Sequence, residues 1–151
     1  MTPVTPITAV FNDLVRVETR LFNALSARLR EQHGLSLGQF EFMAIIDRTP
    51  GCRVLDIAHE VAITVGAVSK AVDRLVAAGW CVRTAHPEDR RSSVLTLTPE
   101  GAALLATARP TIERELTALT SAVTPADLAR TAETLATLRA SLEAAREGQP
   151  G

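Results

Sequence analysis

Over residues 56–98 the chain reads DIAHEVAITVGAVSKAVDRLVAAGWCVRTAHPEDRRSSVLTLT: two short helical patterns joined by a tight turn, then two strand-like runs around a charged turn. Few folds accommodate these elements in this order within so short a span. The first helical pattern covers residues 55–61. Thr64 is a favourable N-cap for the second, which runs to about residue 78 and stops at Gly79. At helical spacing Val65, Val68, Val72, Leu75 and Val76 form its inner face. Gly66, Ala67, Ser69, Lys70, Asp73 and Arg74 face outward. Ala58 and Ala62 are small where the two helices cross, and Val68 plugs the junction. Residues 80–85 and 93–97 alternate and carry β-branched side chains. Between them His86-Pro87-Glu88-Asp89-Arg90-Arg91 makes a turn with an exposed charged tip.

Helix, turn, helix, strand, basic turn and strand is the layout of a winged helix-turn-helix. It points to DNA rather than to catalysis. The flanking chain is helical. Ile7, Val10, Phe11, Leu14, Val17, Leu21, Leu25 and Leu29 share one face of a helix over residues 7–32 that stops at Gly34. Such a helix extends roughly 39 Å, too long for its whole stripe to be buried in one small subunit. Ser36 and Gln39 form a capping box for a second helix, with Leu37, Phe40, Met43, Ala44 and Ile46 inward and Thr49-Pro50-Gly51 at its end. Residues 52–54 read as a very short strand. Thr98-Pro99 starts another helix, which Pro110 is expected to kink or break. Thr124-Pro125 starts the last, where Leu128, Leu135 and Leu142 recur every seven residues with Leu138 between them, a stripe suited to helix–helix contact. The expected fold is mainly α with a small β-wing, one domain over residues 1–151. Residues 36–98 would form the winged helix-turn-helix lobe, and 1–34 with 99–146 a helical dimerisation region.

Composition narrows the function. At 46% apolar but only 3% aromatic residues the chain favours packed aliphatic helices. The formal net charge of −1 offers no bulk signal for nucleic acid, so that reading rests on placement. Over residues 52–91 six basic residues face five acidic ones, yet Lys70 and Arg74 lie one helical turn apart and Arg90-Arg91 sit together at a turn tip. Short side chains at the start of the second helix let its backbone sit deep in a major groove. No segment has the apolar run a membrane span needs, and residues 1–10 do not read as a signal peptide. Cys52 and Cys81 are too few for a disulfide scaffold and read as small buried hydrophobes of a cytoplasmic protein. His33, His59 and His86 are scattered, with no catalytic triad, carboxylate pair or metal-ligand set. No enzyme activity, metal or cofactor is expected.

The segments IAHEVAITVGAVSKAVDRLVAAGWCVR, DRR and LTPEG resemble the MarR family of transcriptional regulators. The pattern is met at Asp73-Arg74-Leu75, Gly79-Trp80, Arg83, Asp89-Arg90-Arg91 and Leu97-Thr98-Pro99-Glu100-Gly101. The resemblance implies a homodimer built from the first and last two helices, a recognition helix over 65–78 and a wing over 80–97. It also implies a small phenolic or anionic effector that releases double-stranded DNA. The expected function is that of a ligand-responsive repressor on a pseudo-palindromic operator. The expected DNA contacts are Thr64, Gly66, Ala67, Ser69, Lys70, Arg74, Asp89, Arg90 and Arg91. Asp89 is expected to pair with a neighbouring Arg, leaving Arg90 or Arg91 free for the minor groove. Ser69 and Arg83 match positions of a shallow phenol-binding surface in one branch of the family. Phe11, Phe22, Phe40, Phe42 and Met43 are candidates to line an effector groove. Two alternatives remain at this stage: a thiol-based redox regulator using Cys52 or Cys81, and an interaction module that keeps the fold without reading DNA. One departure is Ala62, where many helix-turn-helix sequences have Gly; Ala is acceptable there if its backbone is not left-handed.

Overall fold

The computed structural model describes residues 4–150, so the first three residues of the N-terminal segment and Gly151 lie outside the described residues. In chain order the elements are α1 (Ile7–His33), α2 (Leu37–Arg48), α3 (Val54–Val61), α4 (Val65–Ala77), β1 (Cys81–Ala85), β2 (Ser93–Leu97), α5 (Pro99–Leu119) and α6 (Pro125–Ala145). Local signals set their ends. Gly34 takes φ +69° after α1 and donates its N–H to the Arg30 carbonyl, a left-handed cap without a Cβ penalty. Ser36 Oγ accepts the Gln39 N–H at 3.2 Å, and Gln39 Oε1 accepts the Ser36 N–H at 2.9 Å. Thr64, Thr98 and Thr124 cap α4, α5 and α6 through their side-chain oxygens.

The core lies where α2, α3 and α4 meet the hairpin, the C-terminal part of α1 and the first part of α5. Leu29, Leu35, Met43, Ile57, Val68, Val72, Leu75 and Leu105 are fully buried there. The hairpin is antiparallel, from Cys81 opposite Leu97 to Ala85 opposite Ser93. Its ladder reaches one bond further, because the Leu95 N–H donates to the Cys52 carbonyl at 2.7 Å. Outside this core the first part of α1 and the whole of α6 are left without cover. α1 exposes Ile7, Val10, Phe11, Leu14 and Val17, and α6 buries no residue, leaving Leu128, Leu135, Leu138 and Leu142 open.

Several expectations are corrected. Residues 52–54 form no strand. Cys52 lends β2 a single carbonyl, and Arg53 is already the N-cap of α3, its N–H bound by Asp56 Oδ2 at 2.8 Å. The acidic side chain three residues on favours a helix start over an extended run. Of the two outcomes expected at Pro110, a break is excluded, because α5 continues from Pro99 to Leu119. Pro110 and Ala106 are both exposed, so the carbonyl that loses its partner faces water. Val65 and Val76 lie outside the buried face of α4, at 50% and 38% exposure; the face against α3 and β1 is only wide enough for Val68, Val72 and Leu75.

Ala62 is not at the helix crossing either. It is the exposed C-cap of α3 with φ 53° and ψ 47°, and Ala58 alone is buried at the junction. The turn requires the left-handed backbone that costs a Cβ-bearing residue about 1–2 kcal/mol. Ala62→Gly relieves that cost and gives part of it back in unfolded-chain entropy. The substitution is expected to stabilise the fold by about 1 kcal/mol. Urea unfolding at fixed protein concentration measures it, and an unchanged or lower midpoint would contradict the account.

Candidate nucleic-acid interface

α4 is anchored by burial of Val68, Val72 and Leu75 and by its Thr64 cap, whose Oγ1 accepts the Ala67 N–H at 3.2 Å. This leaves Gly66, Ala67, Lys70, Asp73 and Arg74 exposed along one face and Ser69 half-buried beside them. Arg83 on β1 crosses to α4. Its Nη2 donates towards the Ser69 carbonyl at 3.1 Å, Ser69 Oγ at 3.3 Å and Asp73 Oδ1 at 2.8 Å. Its Nε is buried without a partner. With these bonds Arg83 braces the hairpin against α4, and its charge is largely matched by Asp73.

The turn between the strands is held by its own backbone. The Arg91 N–H donates to Asp89 Oδ1 at 3.0 Å, the Ser92 N–H to the Asp89 carbonyl at 3.1 Å, and the His86 N–H to the Ser92 carbonyl at 3.1 Å. Asp89 therefore braces the loop as expected of it, but through a main-chain donor; among the described residues it forms no ion pair with an Arg. A short acidic side chain reaches the N–H two residues on more readily than it reaches a guanidinium. Arg90 and Arg91 are left exposed at the tip.

Charge pairing divides the cations into two groups. Arg28, Arg48, Arg83, Arg109, Arg130 and Arg139 each meet a carboxylate. Among the described residues, Lys70 and Arg74 on α4, Arg90 and Arg91 on the hairpin turn, and Arg53 at the start of α3 meet none within ion-pair distance, and neither do Arg16, Arg20, Arg30, Arg114 and Arg146 outside the winged-helix lobe. Sequence reasoning missed Arg53. Its guanidinium contacts His86 Nε2, 33 residues away. A tertiary contact of this kind leaves no periodic trace in the chain.

The candidate effector residues do not share one cavity within the subunit. Phe11 and Phe22 are 63% and 42% exposed on α1, whereas Phe42 and Met43 are core residues. Phe40 lines a crevice of about 560 Å³ with Arg48, Arg109 and Arg139. Ser69 and Arg83 line a different one, of about 380 Å³, between α4 and the hairpin. Both thiols are buried. Burial first, then the charge of Asp56, pushes the Cys52 thiol up to about 11, and burial also raises Cys81. That is opposite to the depression a reactive thiolate needs. No three His, Cys, Asp or Glu side chains cluster as metal ligands among the described residues. Nor is any helix there long and apolar enough to cross a membrane.

A helix-turn-helix with a bonded hairpin at its side, carried on long helices, defines a winged-helix protein. The model of the MarR family matches residues 35–93, the winged-helix segment. The HTH-type transcriptional regulator BilQ of Clostridium symbiosum is 34% identical over 71 residues, covering 47% of this chain and 49% of BilQ. The chain thus spans about half the length of the curated relatives it matches. A MarR variant from E. coli complexed with operator DNA superposes with a TM-score of 0.79 at 22% identity, over 87% of this chain and 94% of that one. A MarR family transcriptional regulator from Streptomyces coelicolor in complex with DNA gives 0.81 at 22% identity, over 94% and 92%. At these identities the likeness is one of fold, and it extends well beyond the matched segment to nearly the whole chain.

Proposed function

We propose that this chain is a DNA-binding transcriptional regulator. In this reading it acts in the cytoplasm as a homodimer and places α4 in the major groove and the hairpin turn at the adjacent minor groove of a two-fold operator. A small anionic or aromatic effector would relieve its hold. The observation that carries the reading is the charge pattern. The cations left without carboxylates on the winged-helix lobe gather along the outer face of α4 and the turn beside it, as a phosphate-lined groove requires. The operator complex of the E. coli MarR variant shows a protein of this fold on DNA. Dimerisation is supported by the uncovered stripes of α1 and α6, which flank an apolar groove of about 660 Å³ lined in part by Leu14, Val61, Leu135, Leu138 and Leu142. Contiguous exposed apolar stripes of this kind mark interaction surfaces.

Titrating the chain against duplex DNA from its own promoter region tests the reading. Affinity should fall steeply with salt, and footprinting should show two half-sites about one helical turn apart. Binding without salt dependence, or a footprint without two-fold repeat, would overturn it. The wing gives a sharper test. Arg91→Ala or Arg90→Ala should cost on the order of 1–3 kcal/mol per half-site if that side chain reads the minor groove. Asp89→Ala should also weaken binding, although it removes a negative charge, because the Arg91 N–H loses its acceptor and the turn loosens. Tighter binding by Asp89→Ala would mean that net charge alone matters at the wing.

A further inference from the structure

We propose that Arg53 is a DNA-phosphate ligand, held by the His86 imidazole at the mouth of the crevice between α4 and the hairpin; this rests on the DNA-binding reading above. If α4 occupies a major groove and the hairpin turn the neighbouring minor groove, the sugar–phosphate strand that separates the two grooves must pass over the crevice between them. That crevice is lined by Arg53, Ser69, Arg83, Arg91, Ser92 and Ser93. Its single carboxylate, Asp89, is engaged by the Arg91 N–H. Arg83 is matched by Asp73 and spends its Nη2 on α4. Arg53 and Arg91 are the lining cations that keep an uncompensated charge.

The way Arg53 is held matters. Its main chain is fixed as the N-cap of α3 by Asp56 Oδ2 at 2.8 Å. Its guanidinium lies against Nε2 of His86, which opens the hairpin turn and whose Nδ1 accepts the Glu88 N–H at 3.1 Å. An arginine has five N–H donors and no acceptor, so contact with the ring takes up at most one of them and leaves the others for a phosphate. An imidazole brings no negative charge to the guanidinium, whereas a carboxylate in its place would. Arg53 is thus a ligand, and His86 a positioning residue that acts through it. A planar guanidinium also suits bidentate phosphate contact, which a lysine ammonium cannot make.

Full-length protein and variants are first compared by circular dichroism melting and light scattering, so that only folded chains of wild-type oligomeric state are scored. Binding is then read by fluorescence anisotropy across a salt series. The probes are the promoter duplex and an unrelated duplex of equal length. Arg53→Ala is expected to weaken both duplexes alike, on the order of tenfold. It should also flatten the salt dependence by about one unit per bound half-site. Arg53→Lys should keep most of the salt slope and lose part of the affinity. His86→Gln keeps a polar side chain without negative charge beside Arg53 and should bind as the wild type does, whereas His86→Glu should reproduce the flattened slope of Arg53→Ala by neutralising the guanidinium. If folded Arg53→Ala keeps wild-type affinity and slope, or if His86→Glu and His86→Gln behave alike, the assignment is overturned. Should the wild-type chain bind neither duplex, the DNA-binding reading falls and this assignment with it. Wild-type binding with an inert Arg53 removes the assignment alone.

Discussion

Gly101→Ala is expected to cost the protein most of its stability, on the order of 3–5 kcal/mol. Gly101 lies in the first turn of α5, where the helix start crosses the chain between α4 and β1. A Cβ there would come to 2.1 Å from the Trp80 carbonyl oxygen and 2.9 Å from its carbon. Both are main-chain atoms with no freedom to swing aside. The same carbonyl accepts the Thr98 N–H at 3.0 Å, and Thr98 Oγ1 both donates to the Gly79 carbonyl at 2.6 Å and accepts the Gly101 N–H at 3.0 Å. Pushing the strands apart would break this whole joint. Gly66→Ala provides the comparison: an added Cβ there meets nothing within 4 Å, so the fold should be unaffected or slightly more stable. Urea midpoints of the two variants at equal protein concentration decide it; comparable small changes would show that α5 can shift to accommodate the methyl group.

Replacing Leu135 and Leu142 together by Glu is expected to convert the protein into a monomer that no longer holds an operator. α6 has no buried residue in its own subunit, and these two side chains are 42% and 46% exposed. A helix with nothing packed on it is marginal in water. Its regular form here points to an apolar partner, which the proposed dimer supplies. Burying a leucine contributes roughly 1.5–3 kcal/mol, so losing two from each of two chains, with carboxylates in their place, far exceeds what an interface of this kind can tolerate. Light scattering should show the monomer mass, and anisotropy should show loss of promoter binding. A well-folded variant that remains dimeric would place the interface elsewhere.

Much of this architecture was legible in the chain because it is local. The Ser36–Gln39 box, the Thr64, Thr98 and Thr124 caps and Gly34 each act within a few residues, and all of them stand in the structure. The fold class followed from their order. What escaped depends on contacts that sequence spacing does not encode. The left-handed Ala62 answers to the angle between α3 and α4. Pro110 is tolerated because its side of α5 faces water. Val65 and Val76 fit a helical stripe, but the surface opposite α4 is narrower than that stripe. Lys70, Arg74, Arg90 and Arg91 were visible as charges, and their freedom from carboxylates became visible only with the fold. The link from Arg53 to His86 joins two loops distant along the chain and had no signal at all.

The hairpin is stitched along its length: Leu95 to Cys52, Arg83 to Ser69 and Asp73, Arg53 to His86, and Thr98 to Gly79 and Trp80. Mechanically it is therefore a fixed jaw rather than a hinged flap, and α4 is the other jaw of the same caliper. If the chain binds DNA as proposed, the gap between α4 and the hairpin turn is a length built into the subunit. A duplex offered to it cannot be met by a swing of the wing. DNA whose groove spacing differs from that gap must twist or compress to fit, at an elastic cost set by its own base steps. Sequence preference should consequently extend to base pairs that no side chain of this protein touches, with stiff steps under the gap rejected and deformable ones accepted.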